Sequence, residues 1–344
     1  FKMVEKTKEA KILPAFTEEE IEKAVNEAVA LLKNGDVVAL PTETVYGLAA
    51  NALNCDAVEK IFKIKGRPST NPIIVHISNI EMAKHCVKEW NEAAQRLANN
   101  FWPGPLTIVL FKSEIIPPIV TAGGDTVGIR FPSHPVIQRV IERCGFPLAA
   151  PSANISNRVS PTTARHVFKQ LGNKIKLIVD GGPCSVGIES TVFDLTSKPP
   201  RVLRPGIIHE DSIRAVLSGL KLHQTIHLKK DSRILMSPGL LKKHYSPVAK
   251  LICLSWQSEE ELKQRLLSLG CKPETTWILA YSNPPSKLGN VTLMPKQAQS
   301  YAKALYCELH RCDEAGAKWI IVQTPPQTPE WRAIHDRLAR ASAE

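Results

Sequence analysis

The chain has 344 residues, 43% of them hydrophobic and 6% aromatic, and a formal net charge of +11. This length exceeds one ordinary domain core, and the composition is that of a soluble globular protein, which argues against a disordered or fibrous chain. No apolar run approaches the roughly 20 residues that a membrane-spanning helix needs. The charge is uneven, because residues 198–245 contain ten Lys or Arg and only three Asp or Glu. Such a segment usually faces water, but it also suits contact with phosphates or RNA.

The N-terminal residues and the cysteines indicate a reducing compartment. Residues 1–6 lack the apolar core of a signal peptide. The eight cysteines form no C-x-x-C pair, and Cys307, His310 and Cys312 have a spacing unlike that of a zinc site. We therefore expect reduced thiols, no metal site built from side chains and a cytoplasmic location.

The first predicted helix leads into a short strand and a polar loop. The helix opens with a capping box at residues 17–20. Residues 37–40 are apolar and predict a buried strand, which the polar loop 41–48 follows. Loops at strand ends are where α/β proteins hold ligands. Thr42 and Thr44 would equally serve only to form hydrogen bonds within the turn.

A basic turn precedes the next predicted strand. Asp56 is expected to cap a short helix that ends at Gly66, and Lys65 and Arg67 flank this glycine. Two prolines then keep the chain extended before the apolar residues 73–77. Two cations on a rigid turn suit a polyphosphate or a carboxylate, because rigidity lowers the entropic cost of each charge-assisted hydrogen bond. The alternative is a basic turn that only faces water.

Two later segments combine strand ends with polar groups. Residues 127–130 predict a buried strand that ends at Arg130, whose charge needs a partner, and a substrate carboxylate is one candidate. Residues 147–154 contain small side chains that let a ligand approach the backbone. Ser160 is expected to cap the next helix, with Pro161 at its first position, so that backbone N–H groups point towards a phosphate.

The pattern changes near residue 250. Strand-like segments then alternate with helical ones, at residues 251–254, 277–281, 291–293 and 319–322. This alternation predicts a small Rossmann-like domain with a parallel sheet. The segment contains no G-x-G-x-x-G motif, so we expect no dinucleotide there and no organic cofactor.

Six motifs of the N-terminal part occur in the order found in one enzyme family. They are P-T-E-T-V-Y-G-L at 41–48, K-G-R at 65–67, F-W-P-G-P-L-T at 101–107, S-A-N at 152–154, E-S-T-V at 189–192 and L-R-P-G at 203–206. On these motifs the chain resembles the threonylcarbamoyl-AMP synthases of the Sua5/YrdC/YwlC group over residues 18–205. The sequences S-P-G at 237–239 and K-K-H-Y-S-P at 242–247 resemble the linker of the longer, two-domain Sua5-type members.

The resemblance implies a fold class and domain boundaries. It implies an α/β protein with a YrdC-like domain over residues 14–208, in which helices flank a twisted mixed sheet. A basic linker over residues 209–249 would join it to a smaller Rossmann-like Sua5 domain over residues 250–344. Because Pro238 makes the linker irregular, we expect it to fold over the mouth of the first domain as a lid that places Tyr245 on the nucleotide.

The resemblance also implies a reaction. Members of the family are nucleotidyltransferases that join L-threonine, bicarbonate or CO2 and ATP into threonylcarbamoyl-AMP and release pyrophosphate. The adenylate serves the t6A modification of tRNA through a downstream threonylcarbamoyltransferase, and Mg2+ would accompany the ATP. The threonine amine is itself the nucleophile, so no covalent enzyme intermediate is expected.

The family's binding residues transfer to this chain by motif. The positions implied for L-threonine are Thr44, His76, Arg130, Ala150 and Ser190. Those implied for ATP are Arg67, Asn71, Thr126, Ser152, Ser160, Arg204 and Tyr245. Lys65 and Arg67 would stabilise charge near the phosphates.

Individual roles follow from this transfer. Arg130 would hold the amino-acid carboxylate, and Ser190 and Thr44 would bond to its polar ends. Thr126 and Ala150 are assigned by spacing rather than by a distinctive residue. His76 also has a simpler interpretation, in which a histidine is satisfied within its strand.

Two other functional classes stay open. The basic segment with a concave YrdC-type face would suit a module that binds double-stranded RNA, and contact with tRNA belongs to the same alternative. A carbamoyl-adenylate-dependent carbamoyltransferase would also use a YrdC-like domain. That class expects an acylphosphatase domain and C-x-x-C zinc motifs, and the chain has neither. A membrane partner is not expected.

Overall fold

The computed structural model of the chain describes residues 9–220, 244–286 and 288–343, which form two compact units. The first unit contains the residues up to Ser156, Pro161–Ser185 and the described residues from Glu189 to Leu220. The second contains the C-terminal residues from His244, together with Asn157–Ser160 and Val186–Ile188. Most of the predicted lid, including Pro238, lies outside the described residues.

The first unit is built on a mixed sheet of ten strands. The strands are β1 Lys11–Pro14, β2 Val38–Leu40, β3 Gly47–Asn51, β4 Val75–His76, β5 Leu106–Phe111, β6 Thr126–Arg130, β7 Leu148–Ala149, β8 Leu177–Asp180, β9 Thr191–Asp194 and β10 Arg201–Arg204. Their order across the sheet is β1-β8-β2-β3-β7-β4-β6-β5-β9-β10. Strands β1 and β8 pair in parallel, whereas β5 and β6 pair antiparallel. The expected mixed sheet is therefore confirmed.

Seven described helices accompany this sheet. They are α1 Glu18–Lys33, α2 Cys55–Lys65, α3 Ile80–Cys86, α4 Glu92–Phe101, α5 Pro135–Cys144, α6 Ala164–Leu171 and α7 Glu210–Leu217. Helix α1 begins with the predicted capping box between Thr17 and Glu20. Helix α2 ends at Gly66, which adopts the left-handed conformation that favours glycine.

Two helix starts differ from the prediction. Asn54, and not Asp56, caps α2, because its side chain already accepts from the Ala57 N–H at 3.1 Å. Asp56 lies in the first turn, where its charge faces the positive end of the helix dipole. Helix α6 begins at Ala164 and is capped by Thr163, so the expectation that Ser160 caps it was wrong. Thr163 directly precedes Ala164, the first buried residue of the helix. Its hydroxyl accepts from the His166 N–H, a first-turn group that has no partner within the helix.

The two faces of the sheet near β4, β5, β6 and β9 have different characters. Alternate residues on these strands belong to one large apolar core: Val75, Leu106, Ile108, Val127, Ile129 and Phe193. Side chains alternate between faces along a strand, so the residues between them face the other way. That second face carries the small apolar cluster Ile74, Val109 and Val192, and it also carries the polar side chains described below.

The second unit is built on a parallel sheet of four strands. They are β11 Lys250–Leu254, β12 Thr276–Ala280, β13 Asn290–Leu293 and β14 Trp319–Gln323, in the order β11-β14-β12-β13. Its described helices are α8 Glu259–Ser268, α9 Ala298–Glu314 and α10 Arg332–Ala341. The predicted small parallel-sheet domain is confirmed. Across the described parts of both units, no helix is long and apolar enough to cross a membrane.

Candidate active site

Five buried polar residues line the second face of the first unit's sheet. We call them the polar row: His76 on β4, Arg130 on β6, Thr107 on β5, Ser190 just before β9 and Arg204 on β10. These strands are consecutive in the sheet. His76 is the register partner of Arg130. On the antiparallel strands β5 and β6, Ile108 pairs with Ile129, and Thr107 precedes Ile108 while Arg130 follows Ile129. The fold therefore brings together side chains that are far apart in the sequence.

Arg130 has a partner from the protein itself. Its Nη2 lies 2.7 Å from Oε1 of Glu43, and the two side chains are only 5% and 7% exposed. The other carboxylate oxygen of Glu43 accepts from the Ser133 N–H at 3.2 Å. The sequence suggests a substrate carboxylate as the candidate partner and does not point to Glu43, although this residue lies in the P-T-E-T motif at a strand end.

His76 is buried as a neutral imidazole. Burial lowers its pKa from 6.5 to about 3, and the Arg130 charge adds to this shift. In the described part of the chain its Nδ1 has no hydrogen-bond partner, although the atom is buried. The Ile74 backbone is also a hydrogen-bond partner of the ring, so the interpretation of His76 as a histidine satisfied within its strand stays a prediction, while the Nδ1 atom suits a bound polar group.

The loop that carries Thr44 is tightly bonded within itself. The Thr42 hydroxyl donates to the Val45 carbonyl at 2.7 Å and lies 2.9 Å from the Thr44 hydroxyl. Thr42 Oγ1 also accepts from the Thr44 N–H at 3.1 Å. Tyr46, at the end of the loop, donates from Oη to the Gly182 carbonyl at 2.7 Å. The loop is thus held in a fixed conformation beside Glu43.

Ser190 and Arg204, which were assigned to different substrates, are bonded to each other. Arg204 donates from Nε to the Ser190 carbonyl and from Nη2 to Ser190 Oγ, both at 3.1 Å. Thr107 Oγ1 lies 2.8 Å from Ser190 Oγ. Thr107 was missed in the sequence because its role depends on Ser190, which is 83 residues away in the chain.

The two cations of the basic turn bond to the protein. Arg67 donates from Nε to the Asn71 carbonyl at 3.1 Å and from Nη2 to the Pro72 carbonyl at 2.7 Å. Neither polar atom of the buried Asn71 side chain has a hydrogen-bond partner within the described residues. The turn therefore presents an unused amide that suits a ligand.

Lys65 is fully buried next to this turn. Its Nζ lies 2.5 Å from the Ser152 carbonyl, 2.7 Å from the Asn154 carbonyl and 3.2 Å from Asn154 Oδ1. Burial lowers the pKa of its ammonium, and the neighbouring Arg67 charge contributes. These three contacts equal the number of ammonium donors, so Lys65 fixes the S-A-N segment in the structure as described.

Two residues assigned by spacing lie at well-defined backbone positions. Ala150 directly follows β7, and its N–H donates to the Ile74 carbonyl at 3.2 Å. A Cβ atom at Gly47 would lie 3.3 Å from the Ala150 side chain, so this part of the sheet is closely packed. Thr126 begins β6 and faces the same side as Arg130, four residues further along the strand.

Ser160 and Tyr245 belong to the second unit. His310 Nε2 lies 3.0 Å from the Ser160 carbonyl. Tyr245 is buried, stacks on Tyr306 with 5.9 Å between ring centroids, and has the Arg337 guanidinium 5.2 Å from its ring. Their assignment to the ATP site stays a prediction.

The described residues contain no group of three His, Cys, Asp or Glu side chains able to hold a metal ion. The carboxylate of Glu43, beside the polar row, is already engaged by the Arg130 ion pair. The described side chains thus do not fit a resident metal centre. A divalent ion here would depend on oxygens that a ligand supplies.

Comparisons with known proteins agree with these observations. A Sua5/YciO/YrdC model described as "Telomere recombination" matches residues 30–206, and a model described as "Threonylcarbamoyl-AMP synthase, C-terminal domain" matches residues 208–343. The threonylcarbamoyl-AMP synthase of Pyrococcus abyssi is 38% identical over 92% of this chain and 93% of its own length. That of Bacillus subtilis is 39% identical over 92% of each chain.

A solved structure extends the similarity to three dimensions. The crystal structure of P. abyssi Sua5 complexed with L-threonine has a TM-score of 0.86 at 36% identity. The match covers 97% of this chain and 98% of the other.

Proposed function

The chain belongs to the Sua5/YciO/YrdC family, as a two-domain threonylcarbamoyl-AMP synthase, and on this premise we propose how its own residues carry out that reaction. The enzyme is a nucleotidyltransferase. It joins L-threonine, bicarbonate or CO2 and ATP into threonylcarbamoyl-AMP and releases pyrophosphate, as a step in t6A modification of tRNA.

One observation supports the amino-acid site most strongly. The buried Arg130–Glu43 ion pair adjoins a neutral His76 whose Nδ1 has no hydrogen-bond partner among the described residues. An α-amino acid is a zwitterion, and a buried cation and anion side by side complement its two charges. In this proposal Arg130 holds the carboxylate, while His76, Thr44 and Ser190 bond to the remaining polar groups.

The chemistry needs no covalent enzyme intermediate. The threonine ammonium first loses a proton to solvent, and the neutral amine then attacks the carbon of CO2 and releases a second proton to solvent, which gives a carbamate. A carbamate oxygen then attacks the α-phosphorus of ATP, and the bond from that phosphorus to the bridging oxygen breaks as pyrophosphate leaves. The protein contributes orientation of three substrates and neutralisation of developing negative charge.

We assign the ATP side to the basic turn and its neighbours. Asn71 would bond to the nucleotide through its unused amide, and Arg67 and Arg204 would place positive charge near the phosphates. Lys65 would act chiefly by fixing Ser152 and the S-A-N segment. The roles of Thr126, Ser160 and Tyr245 in binding ATP, and of residues 209–249 as a lid, are further parts of the proposal.

The remaining partners follow from the reaction. Mg2+ would enter with ATP and reduce the charge on its phosphates, held by phosphate oxygens rather than by a protein site. The adenylate would pass to a tRNA threonylcarbamoyltransferase. This role in tRNA modification suits a cytoplasmic protein, and direct contact with tRNA through the basic segment is an additional hypothesis.

The experiment that tests the function is pyrophosphate release from ATP by the purified chain. We expect release only when both L-threonine and bicarbonate are present. Release without threonine would indicate the carbamoyltransferase class instead. Absence of release under all conditions, together with tight binding of double-stranded RNA, would indicate the RNA-binding class.

A further inference from the structure

Two threonines, Thr42 and Thr107, contact the hydroxyls of Thr44 and Ser190, which the proposed function assigns to substrate binding. We propose that they are positioning residues that fix the hydrogen-bond polarity of the amino-acid site, so that Thr44 presents lone pairs and Ser190 presents a proton. The inference rests on the proposed function and deepens it. It identifies which residues determine the direction of the substrate's hydrogen bonds.

The polarity of Thr44 follows from counting protons in its loop. A carbonyl oxygen only accepts, so the single hydroxyl proton of Thr42 is used in its 2.7 Å bond to the Val45 carbonyl. The 2.9 Å contact between the Thr42 and Thr44 hydroxyls then needs the Thr44 proton, which shares the two Thr42 lone pairs with the longer bonds from the Thr44 N–H at 3.1 Å and the Val45 N–H at 3.3 Å. With its proton committed to Thr42, the Thr44 oxygen can only accept from a ligand. It suits an ammonium or a hydroxyl donor of the amino acid.

The polarity of Ser190 follows from two neighbours. Arg204 is an obligate donor, and its Nη2 donates to Ser190 Oγ at 3.1 Å. The 2.8 Å contact between the Thr107 and Ser190 hydroxyls uses one of their two protons. Within the described residues, no hydrogen bond accounts for the other proton. A ligand oxygen completes this network when Thr107 donates to Ser190 and Ser190 donates to the ligand.

The packing around Thr107 leaves a space that fits its side chain. Thr107 is fully buried, and a Cβ atom at Gly128 on the neighbouring strand would lie 3.0 Å from its Cγ2 methyl. Val109 and Gly128 are register partners, so Gly128 faces the same side of the sheet as Thr107. The missing side chain at residue 128 leaves the room that the threonine methyl occupies.

The resulting site has one accepting and one donating hydroxyl in addition to the Arg130–Glu43 pair. Such an arrangement selects a ligand that carries donors at one end and an acceptor oxygen at the other. An α-amino acid with its ammonium and carboxylate groups meets this requirement. A carboxylic acid that lacks the amine does not.

The test compares Thr107→Val with Thr107→Ser by calorimetric titration of L-threonine into the full chain. Valine keeps the shape but removes the hydroxyl, whereas serine keeps the hydroxyl. We expect Thr107→Val to weaken threonine binding about tenfold and Thr107→Ser to change it by less than about twofold. The KM for L-threonine should rise in Thr107→Val, while the KM for ATP stays unchanged. Thr276→Val, at a fully buried strand threonine of the second unit, serves as the matched control.

A double-mutant cycle tests whether Thr107 acts through Ser190. In a Ser190→Ala background, Thr107→Val should have no further effect on threonine binding. Thr42→Val compared with Thr42→Ser gives the same test at Thr44 and does not depend on how Thr107→Val folds.

Several outcomes would overturn the inference. If the wild type binds L-threonine and folded Thr107→Val binds it equally well, or if Thr107→Ser is as weak as Thr107→Val, the inference alone is wrong. An additive double mutant has the same consequence. If the wild type neither binds L-threonine nor releases pyrophosphate in its presence, the proposed function is wrong and the inference falls with it.

Discussion

Arg130 and Glu43 form an ion pair with 2.7 Å between Nη2 and Oε1, and it is almost completely removed from water. The two residues come from a strand and a loop that are 87 positions apart in the sequence. Burying two charges is costly, and their attraction offsets that cost only while both are present. The cost is also offset where the charges bind a ligand, and here Arg130 belongs to the polar row and pairs in register with His76.

Replacing Glu43 should therefore destabilise the fold strongly. In Glu43→Gln the size of the side chain is kept, but the buried Arg130 charge loses its partner, and we expect a loss of about 3 kcal/mol in the free energy of unfolding. Urea denaturation measures this. Glu81→Gln removes the carboxylate of the exposed Lys84–Glu81 pair and should cost less than about 1 kcal/mol. Equal stability of Glu43→Gln and wild type would show that the pair is not buried in solution.

Lys65 should matter for stability, and a neighbouring lysine should not. Lys65→Met removes the ammonium and leaves the Ser152 and Asn154 oxygens without this partner, so we expect a loss of about 2 kcal/mol. Lys63 lies two residues earlier on the same helix, and its side chain is 69% exposed. Lys63→Met should change the free energy of unfolding by less than about 0.5 kcal/mol. Similar values for the two variants would contradict the account.

His76 should make stability depend on pH in acid. Its pKa is about 3 in the folded chain, against 6.5 as the ordinary value, so the unfolded chain binds a proton first. The contribution of the neutral ring is complete above about pH 6.5 and is lost as the pH falls towards 3, at about 1.4 kcal/mol per pH unit.

The variant His76→Asn lacks this titration. Chemical denaturation between about pH 6 and pH 4 should therefore give a steeper loss of stability for wild type than for His76→Asn, with a difference near one proton. Parallel curves would mean that His76 is solvated or charged in the folded chain.

Arg67 should affect ATP and not threonine. Arg67→Ala removes two bonds to backbone carbonyls and a positive charge, so we expect adenylate synthesis to be abolished while the fold stays intact. Arg67→Lys keeps the charge but cannot reproduce the planar fork, and it should weaken ATP binding about tenfold. Calorimetry with ATP and, as the control, with L-threonine separates the two substrates. Normal ATP binding in folded Arg67→Ala would remove Arg67 from the site.

Much of this organisation is readable from the sequence because it is local. The capping box at Thr17 and the left-handed Gly66 follow from neighbouring residues. Local signals also place Arg130 at a strand end, where it needs a partner.

The contacts that define the site are not local, and the sequence could not specify them. Glu43 meets Arg130, Lys65 meets Asn154 and Thr107 meets Ser190 only because the sheet order brings distant segments side by side. The two wrong helix caps have a different cause. Each had a competing side chain nearby, Asn54 or Thr163, whose oxygen was better placed to accept from the first turn.

The most direct test of the central claim is identification of the product by mass spectrometry. The full chain would be incubated with ATP, L-threonine and carbon-13-labelled bicarbonate. We predict an adenylate that contains threonine and one labelled carbon, formed together with an equal amount of pyrophosphate. An adenylate without threonine, or ATP that stays unchanged while L-threonine binds, would contradict the assignment of this chain as a threonylcarbamoyl-AMP synthase.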